Sequence, residues 1–367
     1  MQIPLIDLTA QYSNLEVKIL AAIKKVLRSG QYINGTEVKQ LEENIKEVTG
    51  SKYAVPVANG TDALVLALDA CGIGQGDEVI TSPYTFFATA EAIARVGAKP
   101  VFVDVKVDTF NISPELIEEK ITKNTKAIIP VHLFGQPAEM DAIIELGKKH
   151  RLKIIEDACQ ALGASYKGNP VGSIGDIGCF SFFPTKNLGC YGDGGVVVTN
   201  NKEIAEKIRL LAAHGSKVKY FNEIVGYNSR LDEIQAAILN VKISHLFDWN
   251  EKRRILASIY DRELLKTNVT TPKTVEGVKH VYHLYVVTCS NVNEIKQHLE
   301  QKGISTGVYY PSPLHLQRAF LYLGYKVGYL PVSEKLATHT LALPLFPELD
   351  NNQQNYVIER LKEVCTI

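Results

Sequence analysis

At 367 residues the chain is long enough for a large core and two subdomains, and its 40 basic and 40 acidic side chains balance. That balance, with no basic stripe or tail, argues against a nucleic-acid partner held through its phosphates. The apolar runs are far too short for a membrane span, 1–8 has no basic region leading into an apolar core, and the six Cys show no Cys-x-x-Cys spacing, so a cytoplasmic protein with reduced thiols is expected.

Leu15, Ile19, Ala22, Ile23, Val26 and Leu27 mark one face of a first helix, which Gly30 can end. Thr36 is placed to cap a second, with Val38, Leu41, Ile45 and Val48 inward and Gly50 after it. Short apolar runs then alternate with helical patterns. The strands expected are 53–57, 78–81, 99–103, 125–130, 152–156, 177–181 and 195–199; the helices are 61–71, 85–96, 113–121, 140–150 and 202–214. Such alternation implies an α/β fold, a mostly parallel sheet with helices on both faces. The stretch 230–265 reads as one long helix, straight or bent, connecting a large domain (1–245) to a smaller α+β domain (246–367). The smaller unit has strand patterns at 283–288 and 305–309 and helix patterns at 293–302, 334–341 and 352–364. The stretch 310–331, rich in Pro, Gly and Tyr, reads as a functional loop.

Lys186 lies in Cys179-Phe180-Ser181-Phe182-Phe183-Pro184-Thr185-Lys186-Asn187-Leu188-Gly189, 29 residues after Asp157 at the end of an apolar strand. A Lys among apolar and aromatic residues is poorly solvated, which favours the free amine and makes it a nucleophile. A carboxylate at the end of a buried strand needs a cationic partner. Pyridoxal phosphate meets both needs: Lys forms a Schiff base with its aldehyde, and Asp pairs with its protonated ring nitrogen. Taken singly, the two residues read equally well as a surface Lys and a helix-capping Asp. Asn59-Gly60-Thr61-Asp62 follows a strand and opens a helix, where Gly60 and the first-turn amides favour a phosphate; an ordinary capped turn has the same pattern. Ser181 is placed to give its hydroxyl to the same phosphate. Phe86, in Ser82-Pro83-Tyr84-Thr85-Phe86-Phe87, is either a ring lying flat on the cofactor or a core residue. Gly192-Asp193-Gly194-Gly195 precedes a strand, so it is a turn beside the Lys186 segment and not a dinucleotide loop. Asn228 and Arg230 precede a helix start, where an anion is favoured and where a cap and a surface Arg are equally at home. Tyr309, Tyr310 and His315 lie on the loop and suit either a polyhydroxylated ligand or a rigid turn. No His cluster has metal-ligand spacing, so no metal is expected.

Together the segments resemble the DegT/StrS-type family of nucleotide-sugar aminotransferases, from Ile6-Asp7-Leu8 to about Asp350. The motifs that carry the resemblance are Asn-Gly-Thr-Asp-Ala-Leu at 59–64, Glu-Asp-Ala-Cys-Gln-Ala at 156–161, Ser-Phe-Phe-Pro-Thr-Lys at 181–186, Gly-Asp-Gly-Gly at 192–195 and Asn-Ser-Arg-Leu-Asp at 228–232. The resemblance implies the aspartate-aminotransferase fold (fold type I), with Lys186 bound to pyridoxal 5'-phosphate and Asp157 on its ring nitrogen. It places Gln160 near the ring hydroxyl and Gly60, Thr61 and Ser181 on the phosphate. Asn228 would reach the cofactor phosphate of a neighbouring subunit, making the active unit a homodimer, and Arg230, Tyr309, Tyr310 and His315 would lie toward substrate. Family members that dehydrate sugars carry His at the Lys position, so Lys186 implies transamination. The implied reaction takes the amine of L-glutamate, releases 2-oxoglutarate, and aminates carbon 3 of a nucleotide-linked keto sugar for glycan or antibiotic biosynthesis. Tyr309 stands where related sequences often have a His that binds a sugar carboxylate, which favours a 6-deoxy sugar over a uronic acid. The alternatives are amination at carbon 4 and, outside enzymes, a DNA-binding regulator.

Overall fold

The structure is a computed structural model that describes residues 1–365. Helix α1 (Leu8–Ser29) starts where Asp7 accepts a hydrogen bond from the Ala10 amide at 2.9 Å, and it ends at left-handed Gly30. Helix α2 (Thr36–Thr49) follows, but Thr36 is not its cap. The cap residue is Gly35, and the acceptor comes from far along the chain. The buried Glu233 carboxylate, at the start of a later helix, accepts from the amides of Gly35 (2.6 Å), Glu37 (2.9 Å) and Val38 (3.0 Å). A Cβ at position 35 would stand 2.7 Å from Glu233 Oε2, so Gly35 is required for this approach. Removing the acceptor in Glu233→Ala leaves these donors unpaired, and urea unfolding is expected to show a loss of about 2–3 kcal/mol.

In chain order the strands are β1 (Tyr53–Val57), β2 (Glu78–Thr81), β3 (Lys99–Phe102), β4 (Thr125–Ile129), β5 (Lys153–Asp157), the short pair β6 (Ser165–Tyr166) and β7 (Asn169–Pro170), β8 (Ile177–Ser181), β9 (Gly195–Thr199), the hairpin β10 (Ser216–Val218) and β11 (Phe221–Asn222), β12 (Val278–Lys279), β13 (Tyr285–Thr288) and β14 (Thr340–Leu343). The central sheet has the order β1-β9-β8-β5-β4-β2-β3. β2, β3, β4, β5 and β8 pair in parallel, whereas β9 is antiparallel to both its neighbours. The reason is local. The residues between β8 and β9 form a loop with no crossover helix, and such a return gives an antiparallel pair. Helices α3 (Gly60–Ala70), α4 (Ala88–Arg95), α5 (Met140–His150) and α6 (Lys202–Ala212) connect the strands. Leu64, Leu66 and Leu68 of α3 and Val79, Ile129, Ile155 and Val197 of the sheet are fully buried together.

The expected single helix over 230–265 is two: α7 (Glu233–Ile243) and α8 (Leu246–Glu263). At the break, the Ser244 hydroxyl bonds back to the Val241 carbonyl and competes with the helical ladder. α8 leads into a second core of Tyr260, Tyr285, Val287, Leu299, Leu343 and Leu361, completed by α9 (Val292–Gln301), α10 (Pro331–His339) and α11 (Asn351–Lys362). Three expectations are corrected. The 113–121 segment forms two 3-10 turns, not a helix, with Pro114 opening the first. The 334–341 helix ends at His339, and Thr340–Leu343 is a strand paired with β13. The 305–309 segment makes only a bridge, Gly307 to Ala342. Among the described residues no helix is long and apolar enough to cross a membrane.

Candidate active site

A cavity of about 720 Å³ opens where β5 and β8 end and α3 begins. Lys186, Asp157, Gln160, Ser181, Gly60, Thr61, Phe86, Tyr309 and Tyr310 all line it. Elements far apart in sequence thus converge at the carboxyl ends of the strands, where open α/β sheets bind ligands.

Asp157 ends β5 and is 6% exposed. Thr89 donates its hydroxyl to Oδ2 at 2.7 Å, and the Cys159 amide donates to Oδ1 at 3.3 Å. These bonds fix the carboxylate without supplying a cation. Beneath it, Glu156 is fully buried and accepts from the amides of Gly172 (2.7 Å), Ile174 (2.8 Å) and Gly175 (2.6 Å). His132 Nδ1 accepts from the Ala138 amide, which leaves Nε2–H to donate to Glu156 at 2.9 Å. This network anchors the end of β5 and so the position of Asp157.

Lys186 sits in the loop after β8. Burial pushes its ammonium below the ordinary lysine range, against the opposing pull of Cys159 and Asp157. The uncharged amine is therefore present at lower pH than that of free lysine. Uptake of pyridoxal phosphate by the cofactor-free protein is accordingly expected to reach half its maximal rate at a lower pH than reaction with free lysine does. Stopped-flow absorbance across pH measures this, and coincident profiles would contradict it.

The amino end of α3 fits closely against this loop. Asn59 Oδ1 accepts from the Asp62 amide at 2.8 Å, while the first-turn amides at Gly60 and Thr61 have no acceptor within the helix. A Cβ at Gly60 would lie 2.8 Å from Ser181 Cβ and 3.1 Å from Cys159 Sγ. One at Gly195 would lie 2.5 Å from the Asn59 carbonyl group. Both glycines are there for space, and the cradle they leave suits a phosphate. Gly60→Ala is expected to weaken pyridoxal phosphate binding by at least about tenfold, read by fluorescence titration.

Gln160 accepts from the Phe134 amide at 2.7 Å and donates to the Tyr310 hydroxyl at 3.0 Å. Burial pushes the Tyr310 phenol well above its ordinary value. Phe86 is 57% exposed, its ring 6.1 Å from that of Tyr310, so it is cavity wall and not core. Tyr84, fully buried, donates to the Tyr309 carbonyl and holds this part of the wall.

The profile of the DegT/DnrJ/EryC1/StrS aminotransferase family matches residues 13–362. The chain belongs to this family. It is 52% identical to a "pleiotropic regulatory protein" of Geobacillus stearothermophilus, over 99% of this chain and 98% of that one. It is 46% identical to the UDP-N-acetyl-3-dehydro-alpha-D-glucosamine 3-aminotransferase of Acidithiobacillus ferrooxidans, over 96% and 95%. Among solved structures, Streptomyces venezuelae DesV in complex with a ketimine intermediate superposes with a TM-score of 0.97, at 42% identity and over 99% and 98% of the two chains. The chain is therefore a pyridoxal-phosphate-dependent aminotransferase of the α/β, fold type I architecture.

Three residues that the family resemblance points toward ligands, Asn228, Arg230 and His315, do not line this cavity. Asn228 is exposed and accepts from Arg230 Nη2 at 2.8 Å; neither lines the cavity. His315 is fully buried, with Nε2 3.1 Å from Glu334. Glu334 also takes the amides of Gly328 and Leu330, so His315 ties the loop to α10 and does not face the cavity. Conversely, sequence reasoning missed His283, which lines the cavity and has a buried Nδ1 without a partner. Burial, with Lys186 and Arg253 nearby, holds its imidazole well below its usual range. In sequence it is only the first residue of a strand pattern. Among the described residues no group of three or more His, Cys, Asp or Glu is placed to hold a metal.

Proposed function

We propose that this chain transfers the amino group of L-glutamate to carbon 3 of a nucleotide-linked keto sugar. The observation that carries the reading is the convergence of Lys186, Asp157 and the amino end of α3 on one cavity. Bound there, pyridoxal phosphate would supply an electron sink for the carbanion formed at the donor carbon. In this reading Lys186 holds the cofactor, Asp157 keeps a proton on its ring nitrogen, and Gly60, Thr61 and Ser181 hold its phosphate. Phe86 lies against the ring, and Gln160 lies near its hydroxyl. Once released, Lys186 Nζ would take the α-proton of glutamate and deliver a proton to the cofactor's aldehyde carbon, acting as general base and then acid. The cavity wall of Tyr309 and Tyr310 receives the sugar. Tyr309, which brings no cation for a carboxylate, favours a 6-deoxy sugar over a uronic acid.

A second copy completes the site in this reading. Asn228 and Arg230 follow a hairpin and its exit in which Val218, Tyr220, Phe221 and then Val225 are 62–94% exposed, an apolar surface that a homodimer would cover. Cysteines with no disulfide among the described residues suit a cytoplasmic location. The relatives' names that specify a position refer to carbon 3, with either UDP or dTDP as carrier. Incubation with L-glutamate and a panel of 3-keto and 4-keto nucleotide sugars, with products assigned by NMR, tests the proposal. The amine is expected on carbon 3; an amine on carbon 4 would overturn the regiochemistry. The regulatory name of the Geobacillus relative favours a second reading, binding to DNA. Zero net charge speaks against it, and tight sequence-specific gel shifts would revive it.

A further inference from the structure

We infer that Asn250 and Arg253, one turn apart on α8, are positioning residues for Lys186. The inference rests on Lys186 being the residue that holds the cofactor. Asn250 is 1% exposed. Its Oδ1 accepts from Asn187 Nδ2 at 2.7 Å, and Asn187 directly follows Lys186. Its Nδ2 donates to the Leu162 carbonyl at 3.1 Å, two residues beyond Gln160. The loop closes tightly here: at Gly163, with φ of +82°, a Cβ would lie 2.7 Å from Asn250 Nδ2. Asn187 Nδ2 also donates to the Val281 carbonyl at 2.9 Å, which ties the Lys186 loop to the segment leading into β13.

Arg253 is 2% exposed and continues this line into the smaller domain. Its Nη1 donates to the carbonyls of Leu345 (2.8 Å) and Tyr282 (3.1 Å), with a longer contact to that of His283 (3.4 Å). His283 and Leu345 line the cavity. A buried guanidinium is costly; its hydrogen bonds here go to carbonyls, and the nearby Glu348 carboxylate offsets only part of the lost water. What those bonds achieve is placement. One turn of α8 fixes the Lys186 loop, the Gln160 loop and two cavity-lining segments of the smaller domain relative to one another. The orientation of the Lys186 amine is thereby coupled to the position of the smaller domain's wall.

The test uses the full-length protein with Asn250→Leu and Arg253→Lys. It reads thermal melting, pyridoxal phosphate affinity of the cofactor-free protein, and circular dichroism induced in the cofactor's visible band. It also reads the rate and concentration dependence of the reaction with glutamate alone. Asn250→Leu is expected to bind the cofactor about tenfold more weakly, for loss of two buried hydrogen bonds. Its induced dichroism should fall, and its limiting rate should drop with little change in the glutamate concentration for half-saturation. Arg253→Lys keeps the charge but loses the forked geometry, and should show the same changes to a smaller degree. A lower melting temperature with unchanged dichroism, affinity and limiting rate would make the residues merely structural and overturn the inference. If Asn250→Leu does not fold, Arg253→Lys alone decides in the same way. An unsubstituted protein that shows no cofactor band with pyridoxal phosphate would overturn the proposed function, and this inference with it.

Discussion

Lys186→Ala is expected to abolish turnover, with a loss of at least about 10⁴-fold, because in the proposed function one side chain acts as both nucleophile and proton carrier. The variant should still fold. Lys186 makes no side-chain hydrogen bond or ion pair among the described residues, and the Lys186 amide bond to the Phe183 carbonyl is retained. Three readouts should separate its two roles. The visible band of the lysine-bound cofactor should be missing. Both half-reactions, from glutamate and to the keto sugar, should stop. Added small amines, which replace only the proton carrier, should restore part of the rate. Turnover by Lys186→Ala without any added amine would remove Lys186 from the chemistry.

Asp157→Asn should give the second-largest effect. The amide preserves size: its oxygen still accepts from the Cys159 amide, and its NH2 can donate to the Thr89 hydroxyl once that hydroxyl turns to accept, so the fold at the end of β5 should hold. It carries no charge, however, and cannot keep a proton on a ring nitrogen. The loss of a single preorganised charge partner at a reacting centre is worth about 10²–10³-fold in rate. Cofactor affinity should fall much less, since the phosphate cradle at α3 is untouched. A variant with near-normal rates would place the ring elsewhere in the cavity. Thr89→Val offers a milder version, because it removes the hydroxyl that orients Oδ2 but leaves the charge.

Much of this architecture is legible in the sequence because local patterns and the buried sheet agree. β8 and β9 are continuous apolar runs with turn residues between them, and the structure places them at 177–181 and 195–199, the ranges the pattern gives. Lys186 and Asp157 stand out because a charged side chain beside buried strands is costly unless a partner of opposite charge or a ligand meets it. The missed features depend on contacts between distant segments. The cap of α2 comes from Glu233, and nothing near Thr36 announces it. Thr340–Leu343 continues the apolar character of α10, so period alone cannot separate the helix from the strand that pairs with Tyr285–Thr288. His283 looks like a strand residue until the chain folds it against the cavity. His315 looks like a loop imidazole free to meet a ligand until it is seen fully buried, with its Nε2 against Glu334. In the proposed function the role of Asn228 and Arg230 depends on a second copy of the chain, which no local pattern describes.

The most direct test of the central claim is the visible spectrum of the purified protein, with pyridoxal phosphate supplied, before and after excess L-glutamate. The account predicts a yellow band from the cofactor held by Lys186, and its replacement by the shorter-wavelength band of pyridoxamine phosphate once glutamate is added. A protein that stays colourless with pyridoxal phosphate present would contradict it.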